Sequence, residues 1–244
     1  MEKLYDVLNY EGLKIYQNDE WFCFSLDSII LANFPKIKYR TNKIAELGTG
    51  NAIVPLILSR RTNSSIDAIE IQDDLAILAK KNIEYNNLGN QVNIINADMK
   101  AFVSNPINYD KYDLVLSNPP YFKSVPTSDI NCNIHKAIAR HEIKITISDI
   151  MDGAWRILKE GGIFAMVSRT DRFMEILQLF HDFRFEVKYI RFVHDSVDKS
   201  PALFYVEASK LGKSGMIIDK PFILKDALGN YTDEYERLQN EVMI

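Results

Sequence analysis

In the run Tyr112-Asp113-Leu114-Val115-Leu116-Ser117-Asn118-Pro119-Pro120-Tyr121, an apolar segment with a β-branched residue stops at two prolines. Such a run reads as a buried strand that ends in a rigid, non-helical turn. In an open α/β sheet the turns at the carboxyl ends of the strands face the ligand crevice. The turn also has chemistry to offer. The exocyclic amine of adenine and the amide nitrogen of glutamine are poor nucleophiles, because the nitrogen lone pair is delocalised into the neighbouring π system. The Asn118 side-chain oxygen and the Pro119 carbonyl can each accept one N–H of such a group, which favours a pyramidal nitrogen aimed at an electrophile. The fixed φ of Pro119 and Pro120 pre-sets the loop, and Tyr121 can stack on a planar target. In isolation the tetrapeptide is more simply a stiff loop; a glycine-rich turn and two spaced acids upstream favour a site.

Those upstream pieces come in a meaningful order. Lys43-Ile44-Ala45-Glu46-Leu47 predicts a strand that runs into Gly48-Thr49-Gly50-Asn51, followed by an apolar helix from about Ile53 to Arg60. Pro55 is tolerable in that helix because it falls in the first turn. Gly-x-Gly alone is weak, but strand, turn and helix in this order are what dinucleotide and nucleoside sites require. Ser65 to Glu70 reads as a second strand, and its terminal acid stands twenty positions beyond Gly50. A carboxylate there can accept from both ribose hydroxyls; its plain alternative is a surface acid. A helix from Asp73 to Asn86 carries Leu75, Leu78, Ala79 and Ile83 on one face, with Gly89 just beyond. Val92 to Met99 gives a third strand. Asp98 at its end could accept from an adenine amine with Met99 against the ring, or serve as an ordinary cap. Ahead of all this, Leu13 to Gln17 alternates like an edge strand, and Ser25-Leu26-Asp27-Ser28 looks like the cap of a short helix, Ile29 to Phe34, that stops before Pro35. Asp27 is either a capping carboxylate or a group pointing into the cofactor crevice.

Beyond the proline turn, a polar loop from Lys123 to Asn133 leads into His135-Lys136-Ala137-Ile138-Ala139-Arg140-His141-Glu142. No third ligand at suitable spacing accompanies the two histidines, so the segment reads as a phosphate contact or a structural network, not a metal site. Ser148 is the expected cap of a helix whose stripe is Ile150, Met151, Ala154, Trp155, Ile157 and Leu158, ended by Gly161-Gly162. Ile163 to Val167 is a fifth strand, a helix with Phe173, Ile176, Leu177 and Phe180 follows, and Val187–Val193 and Leu203–Ala208 are the last two strands. Regular strand-helix alternation predicts an α/β, doubly wound, mostly parallel sheet of seven strands. The missing helix between the last two strands makes the final one antiparallel. Residues 1–40 form an extension expected to pack on a catalytic domain spanning 41–244. In the tail, Gly229-Asn230 is a turn signal.

Composition bounds the reading. With 244 residues, 47% hydrophobic, the chain can build one sizeable core. No run of about 18 apolar residues marks a membrane span, and the charged start Met1 to Asp6 is not a signal peptide, so a cytoplasmic protein without membrane or metal partners is expected. Cys23 and Cys132 lie far apart, without a disulfide or zinc pattern. A net charge of −4 disfavours nucleic-acid binding by the whole surface but leaves room for a local patch. Lys36, Lys38, Arg40 and Lys43 form one acid-free cluster, read as solvated; Lys123, Lys136, Arg140 and Lys144 follow the proline turn.

Together these pieces resemble the Rossmann-like S-adenosyl-L-methionine-dependent methyltransferases that modify amines through an Asn-Pro-Pro-Tyr motif. Ile53 stands where a dinucleotide fingerprint would carry its third glycine, which disfavours NAD. The likeness extends over Gln17–Phe34, Thr49–Leu56, Glu70-Ile71-Gln72, Asn118–Lys123, His135–Glu142 and Gly229–Thr232, and these look like the bacterial tRNA1(Val) adenine-N6 methyltransferase family. Ala52 departs from that pattern, standing where glycine is common. The resemblance implies methylation of an adenine beside the anticodon of a tRNA. It implies that Glu46, Gly48 and Gly50 shape the pocket for the methionine moiety, that Glu70 takes the ribose, and that Asp98 and Met99 take the cofactor adenine, with Asp27 a further contact. Asn118 and Pro119 would orient the target amine and Tyr121 would stack on the flipped base. Lys123, Lys136, Arg140 and His141 are the expected RNA contacts. Alternatives are a glutamine-N5 protein methyltransferase, against which no separate substrate domain precedes Glu46; a DNA methyltransferase, which lacks length for a target-recognition domain; a non-catalytic nucleoside-binding module; and a dehydrogenase.

Overall fold

The computed structural model of the chain describes residues 2–10, 12–18, 25–119 and 145–241. It begins with β1 (Glu2–Asp6) and β2 (Lys14–Asn18), which form an antiparallel hairpin of their own. The helix α1 (Leu26–Asn33) follows and ends ahead of Pro35, where α-helical geometry is disfavoured. Strand and helix then alternate through β3 (Lys43–Leu47), α2 (Ile53–Leu58), β4 (Ser65–Glu70), α3 (Asp73–Tyr85), β5 (Val92–Asn96), α4 (Met99–Ser104) and β6 (Tyr112–Ser117). Next come α5 (Ile147–Ile157), β7 (Leu158–Arg169), α6 (Phe173–Asp182), β8 (Phe185–Ser196) and β9 (Leu203–Lys210). The short strands β10 (Ile217–Ile218) and β11 (Phe222–Lys225) and the helix α7 (Asp233–Asn240) close the fold.

The main sheet runs β10-β8-β9-β7-β6-β3-β4-β5, with β11 also paired to β8. Strands β3 to β7 are parallel wherever they meet, and β9 is antiparallel to both β7 and β8. The chain winds outward from β3 through β4 to β5, then returns to place β6 on the other side of β3. That reversal makes the β3–β6 gap the topological switch point of the sheet, where open α/β folds bind ligands. Both faces are covered. One is packed by α1, α2 and α3 around Ile30, Leu56, Ala79, Ile44 and Leu114. The other is packed by α4, α5 and α6 around Met151, Phe180, Val115 and Phe164. Burial on two sides is why these strands read as nearly continuous apolar runs.

The parallel order and the antiparallel β9 agree with the sequence expectation; the strand count does not. The main sheet has nine strands, because β10 and β11 both add in parallel to the outer edge of β8. Residues 14–18 are a strand, but not an edge of the main sheet: they pair with β1. The far side of β2 instead meets α3, where Asn82 and Asn86 replace a neighbouring strand. Asn82 Oδ1 accepts from Tyr16 N–H at 2.6 Å and Asn86 Oδ1 from Lys14 N–H at 3.1 Å. Their amide nitrogens return bonds to Tyr16 O at 3.1 Å and Lys14 O at 2.7 Å. Side chains four apart on a helix thus match alternate residues of a strand.

The caps also differ. Ser25 holds the N-cap position of α1, but its side chain makes no cap bond. The cap of α5 is Thr146, not Ser148. Thr146 Oγ1 accepts from Asp149 N–H while the Asp149 carboxylate accepts from Thr146 N–H, a reciprocal capping box that Ser148, inside the first turn, cannot make. The glycine pair at 161–162 lies inside β7, in a bulge that carries the register from Tyr112↔Leu158 to Leu114↔Ile163. Gly162 is needed there, since a Cβ would lie 2.8 Å from Lys159 O.

Candidate active site

The site grows from two strand ends. β3 and β6 pair through Ala45↔Val115 and Glu46↔Leu116, so Gly48 and Asn118 emerge side by side at the carboxyl edge. Ser117 Oγ donates to Leu47 O at 2.9 Å and locks the two ends together. The turn after β3 is built on left-handed backbone, with φ of +83° at Gly48, +58° at Gly50 and +67° at Ala52. At the first two positions glycine meets the requirement without steric cost. At Ala52, the N-cap residue of α2, a Cβ is carried in that region at about 1 kcal/mol. The turn closes on β4 through Gly48 N–H and Thr49 N–H, both donating to Ile69 O at 3.0 Å.

Two buried carboxyl groups face this turn. Glu70 is 4% exposed and its oxygens accept from Gly50 N–H and Gln72 N–H, each at 2.9 Å. Burial pushes its carboxyl up, and these backbone bonds hold it back in part. The Ile71 backbone N–H bonds it as well, and since a carboxylate offers about four lone-pair positions, about one acceptor place remains. Glu46 is 1% exposed and accepts from the Thr49 hydroxyl. Its burial pushes the carboxyl up to about 8; the Thr49 bond opposes the rise and the neighbouring Glu70 charge adds to it. Asp98 stands at the same edge as the N-cap of α4, accepting from Lys100 N–H at 2.8 Å, so the cap role is real. The strand before it ends at Asn96, and Met99 is buried with Leu47 and Ile69 in the second core cluster.

Asn118 brings in a partner that spacing along the chain does not reveal. Its Nδ2 donates to the Oγ of Ser28, a buried residue of α1, at 3.3 Å. This bond turns the amide oxygen to the opposite side as the acceptor. Asp27 precedes Ser28 in the first turn of α1, within the same neighbourhood. Pro119 is buried beside Asn118. Pro120, Tyr121, Lys123, Lys136, Arg140 and His141 lie outside the described residues. The structure therefore brings Asp27, Glu46, Gly48, Gly50, Glu70, Asp98 and Asn118 to one edge. Ser28 and Asn51 were missed: Ser28 had only a cap signal, and Asn51 none. The Asn51 side-chain nitrogen is buried without a hydrogen-bond partner among the described residues, while its carbonyl accepts from Asn82 Nδ2 at 2.9 Å.

The edge has room for a ligand. A Cβ added to Gly48 or Gly50 would meet nothing within 4 Å among the described residues, so the turn has open space on that side. An orphaned polar nitrogen and two carboxyl groups surround a glycine turn that a nucleoside could approach closely. This is the composition and place of a small-molecule site in a doubly wound sheet.

Comparison with known proteins sharpens the assignment. The family model described as methyltransferase small domain matches residues 26–193, more than half of the chain. The chain belongs to that family. The matched stretch of the methyltransferase small domain holds the glycine turn, Glu70, Asp98 and the Asn-Pro-Pro-Tyr segment. Among its relatives is a tRNA1(Val) (adenine(37)-N6)-methyltransferase of Bacteroides fragilis, 30% identical over 146 residues, which are 59% of each protein. The chain thus spans about three fifths of that relative. A protein of the same name from Christiangramia forsetii is 24% identical over 217 residues, 87% of each. Solved structures confirm the fold. A protein described as a predicted O-methyltransferase from Agrobacterium tumefaciens superposes with a TM-score of 0.69 at 20% identity, covering 88% of this chain and 96% of that one. An M. jannaschii tRNA m1G37 methyltransferase gives 0.60 at 19% identity, covering 87% and 55%. Among the described residues no helix is long and apolar enough to cross a membrane, and no cluster of His, Cys, Asp and Glu is placed to hold a metal.

Proposed function

We propose that the chain transfers a methyl group from S-adenosyl-L-methionine to the N6 amine of an adenine beside the anticodon of a tRNA. The observation that carries this reading is the register of β3 with β6, which sets Asn118 next to the Gly48–Gly50 turn. The relatives named for this reaction support the substrate.

The residues divide the work. Gly48 and Gly50 leave the space that the cofactor needs, and Glu70 accepts a ribose hydroxyl at the position its backbone bonds leave open. Asp98 accepts from an adenine amine with the oxygen that does not cap α4. When bound, the cofactor supplies an electrophilic methyl group on a sulfonium. Asn118 Oδ1 and the Pro119 carbonyl accept the two N–H groups of the target amine and aim its lone pair toward that methyl, so much of the rate is positioning. Ser28 keeps the Asn118 amide in the orientation that presents oxygen to the amine. No general base is required, because the methylated amine loses its proton readily.

Asn118→Ala tests the assignment. Calorimetric affinity for S-adenosyl-L-methionine should stay within a few-fold of wild type, while methyl transfer to tRNA falls roughly 10²- to 10³-fold, as for loss of one preorganised hydrogen-bonding group. Unchanged turnover would remove Asn118 from the reaction.

A further inference from the structure

The opposite rim of the sheet carries a feature that the reaction does not use. Between α1 and β3, residues 35–42 cross the amino edge without regular structure. Lys36, Lys38 and Arg40 alternate along this loop without a salt bridge among the described residues, and Lys36 Nζ lies 4.9 Å from the centre of the Tyr189 ring. Tyr39, set between Lys38 and Arg40, is fully exposed at 103%. Against the loop lies the bulge of β7, which contributes Lys159, Gly161 and Gly162. Loop and bulge enclose a hollow of about 150 Å³.

The acids around this hollow offset only part of its charge. Asp113 is engaged by Lys159 Nζ at 2.7 Å and by the backbone N–H groups of Asn42 and Lys43 at 2.9 and 3.0 Å. Glu207 is buried and bonded by the Tyr205 hydroxyl at 2.7 Å and Lys36 N–H at 3.2 Å; burial raises its carboxyl, and the charges of Lys36 and Lys38 draw it part of the way back. Glu160 is the exposed acid of the lining, set against the cations of Lys36, Lys38 and Arg40. In a chain of net charge −4, three cations without a salt bridge among the described residues, beside one bare aromatic ring, form a local exception. Cations tracking a backbone with an aromatic face between them are the arrangement that binds single-stranded nucleic acid.

We infer that the hollow formed by Lys36, Lys38, Arg40 and the β7 bulge, with Tyr39 as a stacking face, is a second RNA contact that grips an unpaired segment of the substrate away from the target base. This rests on the RNA methylation proposed above. The two rims are one strand apart, about 17–20 Å for five to six residues, so an RNA extending that far along the flank touches both.

The test uses the full chain, unfractionated tRNA, and a stem-loop RNA just large enough to present the target adenine. For the triple variant Lys36→Ala/Lys38→Ala/Arg40→Ala, tRNA affinity should fall at least tenfold, and the slope of log K against log salt should drop by about 2 to 3. Tyr39→Ala should weaken tRNA about tenfold with the salt slope kept. Lys36→Arg/Lys38→Arg should bind like wild type, and methylation of the stem-loop should be the same in all variants. If wild type methylates tRNA and the triple variant binds it with unchanged affinity and salt slope, the second contact is wrong and the reaction stands. Loss of anionic-vesicle binding in the triple variant with tRNA binding intact would equally overturn it. If wild type neither binds nor methylates RNA, the functional reading falls and this contact falls with it.

Discussion

At the scale of single residues, Glu46 ties stability to pH. Its carboxyl is held up to about 8 in the fold against an ordinary value of 4.5, with burial the main cause. The unfolded chain releases this proton near pH 4.5 while the folded chain keeps it, so stability falls as pH rises from about 4.5 to about 8. Glu70, also raised by burial, adds to the same trend. Glu46→Gln should therefore melt with a flatter pH dependence than wild type between pH 5 and 8, and gain most at the alkaline end. Equal slopes in the two proteins would show that Glu46 does not carry the effect. Residue chemistry was legible in the sequence where it was local. Gly48, Gly50, Glu70 and Asn118 could be named from a strand, a turn and a spacing. Ser28 could not, since its contact to Asn118 bridges 90 positions.

At the scale of elements, the amino-terminal hairpin is held by a helix. Asn82 is fully buried and makes bonds to Tyr16 N–H, Tyr16 O and Asn51 O. Asn82→Ala would leave these backbone groups unpaired, a loss of about 2–3 kcal/mol. In a domain of this size that lowers the melting temperature by roughly 5–10 °C. A shift under about 1 °C would mean that the hairpin docks by apolar contact through Val7, Leu13 and Ile15 alone. The five parallel strands were legible because burial on both faces gives each an apolar run between turn signals. β1 was not, since Glu2–Asp6 is exposed along its length and shows no alternation. β10 has two residues, too few for any period. Thr146 and Ser148 are equivalent cap candidates by type, and only the reciprocal bond to Asp149 separates them.

At the scale of the whole molecule, the order of strands converts a list of motifs into a site. The turns after β3 and β6 lie 70 positions apart in sequence and meet because the chain reverses direction between β5 and β6. We propose that this meeting point methylates adenine in tRNA. The most direct measurement is transfer of labelled methyl from S-adenosyl-L-methionine into tRNA from cells lacking this protein, followed by nucleoside analysis. N6-methyladenosine should appear in one tRNA species with wild type and next to none with Asn118→Ala. Unlabelled tRNA beside a labelled protein fraction would contradict this reading, keeping the fold and the cofactor while moving the reaction to a glutamine amide.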